Sequence, residues 1–148
     1  MVRALILFNI MIYNKLQIFT DGGARGNPGP AGIGVVIWNG NELVGQHKKY
    51  IGEATNNQAE YKAVILALEE VKKIGAEELN FFLDSELVVK QINREYKVKD
   101  KDLAALFVQV WNLSMGFKKA TFTHVPREKN KEADKLVNEA IDHSTKFK

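Results

Sequence analysis

The sequence predicts one α/β domain built on a mixed sheet, with the element order βββαβααβα. Three observations carry this. Three strand-like runs come first, separated only by turns, which favours an antiparallel meander. Apolar runs then alternate with helical-period segments, as in α/β architectures. The chain has 148 residues, 45% apolar and 26% charged. That suits a single domain with a substantial core and an ordinary globular composition.

Lys15 to Thr20 reads as the first strand and runs into Asp21. Five glycines and two prolines lie between Gly22 and Gly32. Glycine allows positive φ and close backbone approach, and proline fixes bends. The stretch therefore predicts a tight polar hairpin with one carboxylate at the strand-to-turn junction. Ile33 to Trp38 is a β-branched run and reads as the second strand. Asn39-Gly40 signals a hairpin turn. Leu43 to Ile51, more polar, reads as a third strand nearer an edge.

Thr55 and Gln58 form a capping-box pair opening a helix that Gly75 ends. Its apolar stripe is Val64, Ala67, Leu68 and Val71, and Glu60 lies one turn earlier on the same stripe. A charge on a core-facing stripe is costly unless it is paired or bound to a metal. Leu79 to Leu83 reads as a short strand ending in Asp84, and a helix with Leu87, Val88 and Ile92 follows. Ligands favour the carboxyl ends of strands in open α/β sheets. After the charged connection Arg94 to Asp102, Leu103 to Met115 reads as a helix. Ala120 to Val125 reads as the last strand, and Lys129 to Asp142 as the last helix, with Asp134 beside its inward stripe. By domain, residues 1–14 are expected to be an extension of little functional weight, 15–142 the domain, and 143–148 a frayed polar tail.

Other features exclude rather than specify. There is no cysteine, hence no disulfide and no thiolate metal site, which fits a reducing cytoplasm. Residues 1–13 are too short, and too interrupted by Asn9, to span a membrane. The net charge of +3 permits a polyanionic partner without demanding one.

Asp21, Glu60, Asp84 and Asp134 are the candidate chemical residues. Two unit charges ~4 Å apart at an effective dielectric of 20 repel by about 4 kcal/mol. A cluster of this kind must take up protons or bind cations. Oxygen ligands without His or Cys at zinc spacing favour Mg²⁺ or Mn²⁺. Two such ions can assist phosphodiester hydrolysis. The alternative is four unrelated surface acids.

The segments TDGGARGNPGPAG, TNNQAEYKAVILAL, DSELVVKQI and HVPREKNKEADKL together resemble the four signatures of the type 1 ribonuclease H family, in its compact form without a basic protrusion. The resemblance spans Lys15 to Ile141. It implies a ribonuclease H-like fold, with a five-stranded mixed sheet flanked by helices. It implies a monomeric enzyme hydrolysing the RNA strand of RNA/DNA hybrids with two divalent metals, Mg²⁺ or Mn²⁺. The family's four carboxylates fall on Asp21, Glu60, Asp84 and Asp134. Its substrate contacts suggest Gly23, Ala24 and Asn27 in the glycine-rich turn, and Thr55, Asn56 and Asn57 before the helix. The alternatives are a catalytically weak hybrid-binding module and a DNA-directed metal nuclease of the same superfold.

The chain departs from the family pattern in three places. Glu86 stands where Gln is usual. The basic handle is reduced to Lys97, Lys99 and Lys101, interleaved with Asp100 and Asp102. The loop that usually carries a proton-handling His is shortened to Pro126-Arg127-Glu128-Lys129. Arg127 is the nearest cation to that position. His124, within the strand pattern, reads as structural, with proton handling as its alternative.

Overall fold

Residues 4–7 and 10–145 are described by a computed structural model. Four strands come first: β1 (Ala4–Leu7), β2 (Ile10–Ala24), β3 (Gly29–Asn39) and β4 (Glu42–Ala54). Helix α1 (Asn56–Ile74), strand β5 (Ala76–Leu83), and helices α2 (Glu86–Ile92) and α3 (Lys101–Ser114) follow. Strand β6 (Lys119–His124), a single 3-10 turn (Arg127–Lys129) and α4 (Lys131–Thr145) complete the chain.

The sheet order is β4-β3-β2-β5-β6. β2, β3 and β4 are antiparallel neighbours, while β5 lies parallel to β2, and β6 to β5. This is the expected five-stranded mixed sheet. β1 adds a sixth strand, pairing antiparallel with the start of β2. The predicted extension thus contributes a hairpin and the first residues of the central strand. Residues 1–3, 8 and 9 of that extension, and 146–148 of the predicted tail, lie outside the described residues.

The largest boundary difference is in β2, which continues through Asp21, Gly22 and Gly23 to Ala24, paired with Ala31 to Gly34 of β3. Only Arg25 to Pro28 turn, closed by Arg25 N–H donating to the Pro30 carbonyl at 2.8 Å. Glycine weakens a strand by propensity but permits close backbone approach, and packing decides here. A Cβ on Gly22 would lie 2.3 Å from the Ala59 carbonyl of α1. On the opposite face, a Cβ on Gly34 would lie 2.5 Å from the Ala133 carbonyl of α4. The glycines are the surfaces on which two helices rest.

α1, α2 and α3 cover one face. Leu16, Ile18, Val35, Ile37, Leu79, Phe81 and Leu83 of the sheet pack there against Val64, Leu68, Val71 and Val88. Each fully buried side chain of this kind is worth about 1.5–3 kcal/mol. The capping box of Thr55 and Gln58 is formed, and Gly75 ends α1 at φ 92°. α3 begins at Lys101, earlier than the apolar pattern suggests, because the Asp100 side chain caps it by accepting from Leu103 N–H at 3.0 Å. α4 continues to Thr145, so the start of the predicted tail is helical. Among the described residues, no helix is long and apolar enough to cross a membrane.

Candidate active site

The central strand and its parallel neighbour carry the first two acids. Asp21 lies on β2 opposite Gly34, and Asp84 directly follows β5. Two helices bring the others: Glu60 comes from just past the first turn of α1, and Asp134 from the first turn of α4. The contact of α1 with Gly22 lets Glu60 reach across, and Gly22 N–H donates to Glu60 Oε1 at 3.2 Å. Carboxylate oxygens of Asp21, Glu60 and Asp84 all lie within 4.8 Å of one another. Asp134 stands outside that trio but interacts directly with Asp21.

Asp21 and Glu60 are each only 6% exposed. Burial raises the Asp21 pKa to about 7, with the charges of Asp84 and Asp134 adding to it against a bond from Glu60. Burial also raises Glu60 well above the ordinary carboxylate range, and Asp21 reinforces that. Glu60 Oε2 is buried with no hydrogen-bond partner. An unpaired oxygen among repelling carboxylates, all of them hard ligands, fits a divalent cation, with proton uptake as the means of relief when no cation is bound.

These acids line a cavity of about 390 Å³, together with Gly23, Ala24, Arg25, Asn56, Asn57 and Arg127 among others. The glycine-rich turn and the start of α1 clasp each other. Ala24 N–H donates to Asn56 Oδ1 at 2.9 Å, and Asn56 N–H donates to Asn27 Oδ1 at 3.0 Å. Both amide oxygens face backbone donors, which fixes the amide orientation. Thr55 is half-buried, its hydroxyl accepting from Gln58 N–H at 3.1 Å, and it does not line the cavity.

Arg127 lines the cavity from the 3-10 turn, whereas His124 does not. The His124 side chain is 41% exposed at the end of β6, 4.0 Å from Glu86. Glu86 is itself exposed beside Lys90 and outside the cavity. Two features have no signal in the sequence. Arg25 is held by Asp142 at 2.6 Å and donates to Asn138 Oδ1 at 3.4 Å, tying the turn to α4. Asn130, buried behind Asp84, looks in sequence like any polar residue preceding a helix.

The fold and site define a class: a ribonuclease H-like sheet with a carboxylate cluster at the end of its central strands. A profile of the reverse transcriptase-like family matches residues 19–140. The bifunctional protein Rv2228c of Mycobacterium tuberculosis is 45% identical over 130 residues, which are 86% of this chain and 36% of that protein. The chain therefore spans about a third of that relative. A ribonuclease H of Pseudomonas fluorescens is 32% identical over 91% of this chain and 97% of its own. Among solved structures, LC11-RNase H1 in complex with an RNA/DNA hybrid superposes with TM-score 0.85 at 47% identity, covering 88% of this chain and 99% of its own. The chain belongs to the type 1 ribonuclease H family.

Proposed function

We infer that the chain is an endoribonuclease that hydrolyses the RNA strand of RNA/DNA hybrids in the cytoplasm, acting as a monomer. One observation carries the reading: four carboxylates, from β2, the residue after β5 and two helices, converge in a cavity walled in part by Asn56, which Asn27 braces from the turn. Asp21, Glu60, Asp84 and Asp134 would hold two Mg²⁺ ions, with Mn²⁺ as a substitute. When bound, such ions supply Lewis-acid activation of water and stabilisation of the leaving oxygen.

The chain's own residues orient the substrate. With their amide oxygens committed to backbone N–H groups, Asn27 and Asn56 keep their Nδ2 donors for a nucleic acid. Short amides on rigid turns suit ribose 2′-hydroxyls and minor-groove edges. Gly23, Ala24 and Asn57 extend that surface, and Thr55 supports it by capping α1. A labelled hybrid, a matched DNA duplex and a matched RNA duplex, each incubated with Mg²⁺, test the reading. Cleavage confined to the RNA of the hybrid is expected. Cleavage of the DNA duplex would favour a DNA-directed nuclease, and tight hybrid binding without cleavage a binding module.

Arg127 is positioned to steady phosphate charge through its fixed fork of donors, and it keeps its proton at neutral pH. Arg127→Ala is expected to slow turnover several-fold with metal binding and melting temperature unchanged. His124, exposed at a strand end, is expected to matter little to stability, within about 0.5 kcal/mol on replacement by Ala. Turnover and melting temperature measured on both variants separate the roles. Loss of turnover in His124→Ala at unchanged melting temperature, with Arg127→Ala silent, would make His124 the proton-handling group.

The domain is also proposed to be independent of its first ten residues. β2 meets β5 first at Tyr13 and β3 first at Gln17, so, among the described strand pairings, a chain beginning at Met11 loses only the β1 ladder. It should fold and cleave like the full chain. A melting temperature far below that of the full chain would make the β1–β2 hairpin part of the folding unit.

A further inference from the structure

We propose that Asn130 is a positioning residue that holds Asp84 in its metal-binding orientation; this rests on the functional reading above. Asn130 is 1% exposed, between the 3-10 turn and α4. Its Nδ2 donates to the Thr20 carbonyl of β2 at 2.9 Å and to Asp84 Oδ2 at 3.4 Å. One amide thus spans the central strand and the acid beyond its parallel neighbour. The backbone of the same residue serves the rest of the site. Its N–H donates to the Arg127 carbonyl at 2.9 Å, and its carbonyl accepts from Asp134 N–H at 3.1 Å.

Asn130 Oδ1 is buried with no hydrogen-bond partner. Reversing the amide would set an oxygen against the Thr20 carbonyl and the Asp84 carboxylate, so the observed orientation is the one with a donor at that point. The donor draws on one oxygen of Asp84 and leaves the other for a cation. Ligating carboxylates are commonly oriented by such outer partners, and losing one typically costs 10–100-fold in metal affinity or activity.

Three measurements test this. In Asn130→Leu, which keeps the volume but removes the donor, the Kd for Mn²⁺ measured by calorimetry on the full chain should rise about tenfold or more. The kcat should fall with KM for the hybrid nearly constant, at a temperature well below melting. Asn130→Ser, smaller and still polar, should lie between Leu and wild type. In the unsubstituted protein, the Asn130 side-chain amide resonances should move as Mg²⁺ saturates the site, a readout that needs no variant to fold. Unchanged Mn²⁺ affinity and kcat in a folded variant, with only the melting temperature lowered, would leave Asn130 a packing residue and overturn the proposal. Amide resonances that ignore Mg²⁺ would also overturn it. Wild-type protein that neither binds divalent ions nor cleaves hybrid would instead remove the functional reading itself.

Discussion

Asp21→Asn is expected to reduce metal-dependent cleavage of a hybrid by more than ~100-fold and to raise the melting temperature of the metal-free protein at pH 8. Both effects come from one geometry. Asp21 stands between Glu60, Asp84 and Asp134, so its charge is at once the centre of the proposed metal site and, without metal, penalised by burial and by the charges of Asp84 and Asp134. Its folded pKa, about 7, lies above the ordinary 3.8. Between those values the native protein binds more protons than the unfolded chain, so stability falls as pH rises. Below about pH 4 both states are protonated and the penalty vanishes; above about 7 it is fully present.

Each pKa unit corresponds to about 1.4 kcal/mol, and Glu60 shares the same protons, so a gain of ~2 kcal/mol, or ~5 °C in melting temperature, is a reasonable scale for the substitution. The gain should disappear near pH 4. Saturating Mg²⁺ should stabilise wild type more than Asp21→Asn, since binding the native state raises stability in proportion to RT ln(1 + [L]/Kd). Melting curves at pH 4 and 8, with and without Mg²⁺, check all of this. A variant no more stable than wild type at pH 8, or one cleaving at more than a few per cent of the wild-type rate, would remove Asp21 from the centre of the site.

The four acids were legible in the sequence because each has a local signature. Asp21 and Asp84 end apolar runs, Glu60 extends the stripe of Val64 and Leu68, and Asp134 flanks that of Val137. The capping box of Thr55 and Gln58 and the stop at Gly75 were equally local. Partnerships across long stretches of chain had no such mark. The Asn27–Asn56 bond joins residues 29 apart, and the Asn130–Thr20 bond residues 110 apart. Neither partner's composition predicts the other. Gly22 and Gly23 read as turn because glycine is a poor strand former, yet the strand runs through them, and at Gly22 α1 needs bare backbone to rest on. Local propensity and tertiary packing disagree there, beside the chemistry, where conflicts of this kind are expected.

Gly22→Ala is accordingly expected to be among the most damaging single-methyl substitutions outside the carboxylates. The added Cβ would meet Ala59 C and O at 2.3 Å and Glu60 N at 2.6 Å. All three are backbone atoms near the start of α1, so no side-chain rotation relieves the overlap. The helix must lift from the sheet or the strand must bend. Overpacking a close contact costs about 1–3 kcal/mol and sometimes more, so a fall of ~6 °C or greater in melting temperature is expected. Activity should fall further than stability explains. The displaced turn carries Glu60, and the Gly22 N–H that holds Glu60 Oε1 moves with the strand. A shift of ~1 Å in a positioned group can cost ~100-fold in rate.

Gly23→Ala is the control. Its Cβ would meet only Val137 Cγ1, at an ordinary 3.7 Å. It should melt within about 2 °C of wild type, because reduced freedom of the unfolded chain offsets any small crowding. The two variants differ by one position along the same strand and by the face on which the methyl falls. Equal melting temperatures for them, with Gly22→Ala cleaving normally, would mean that close approach of α1 to β2 is not what sets Glu60 beside Asp21.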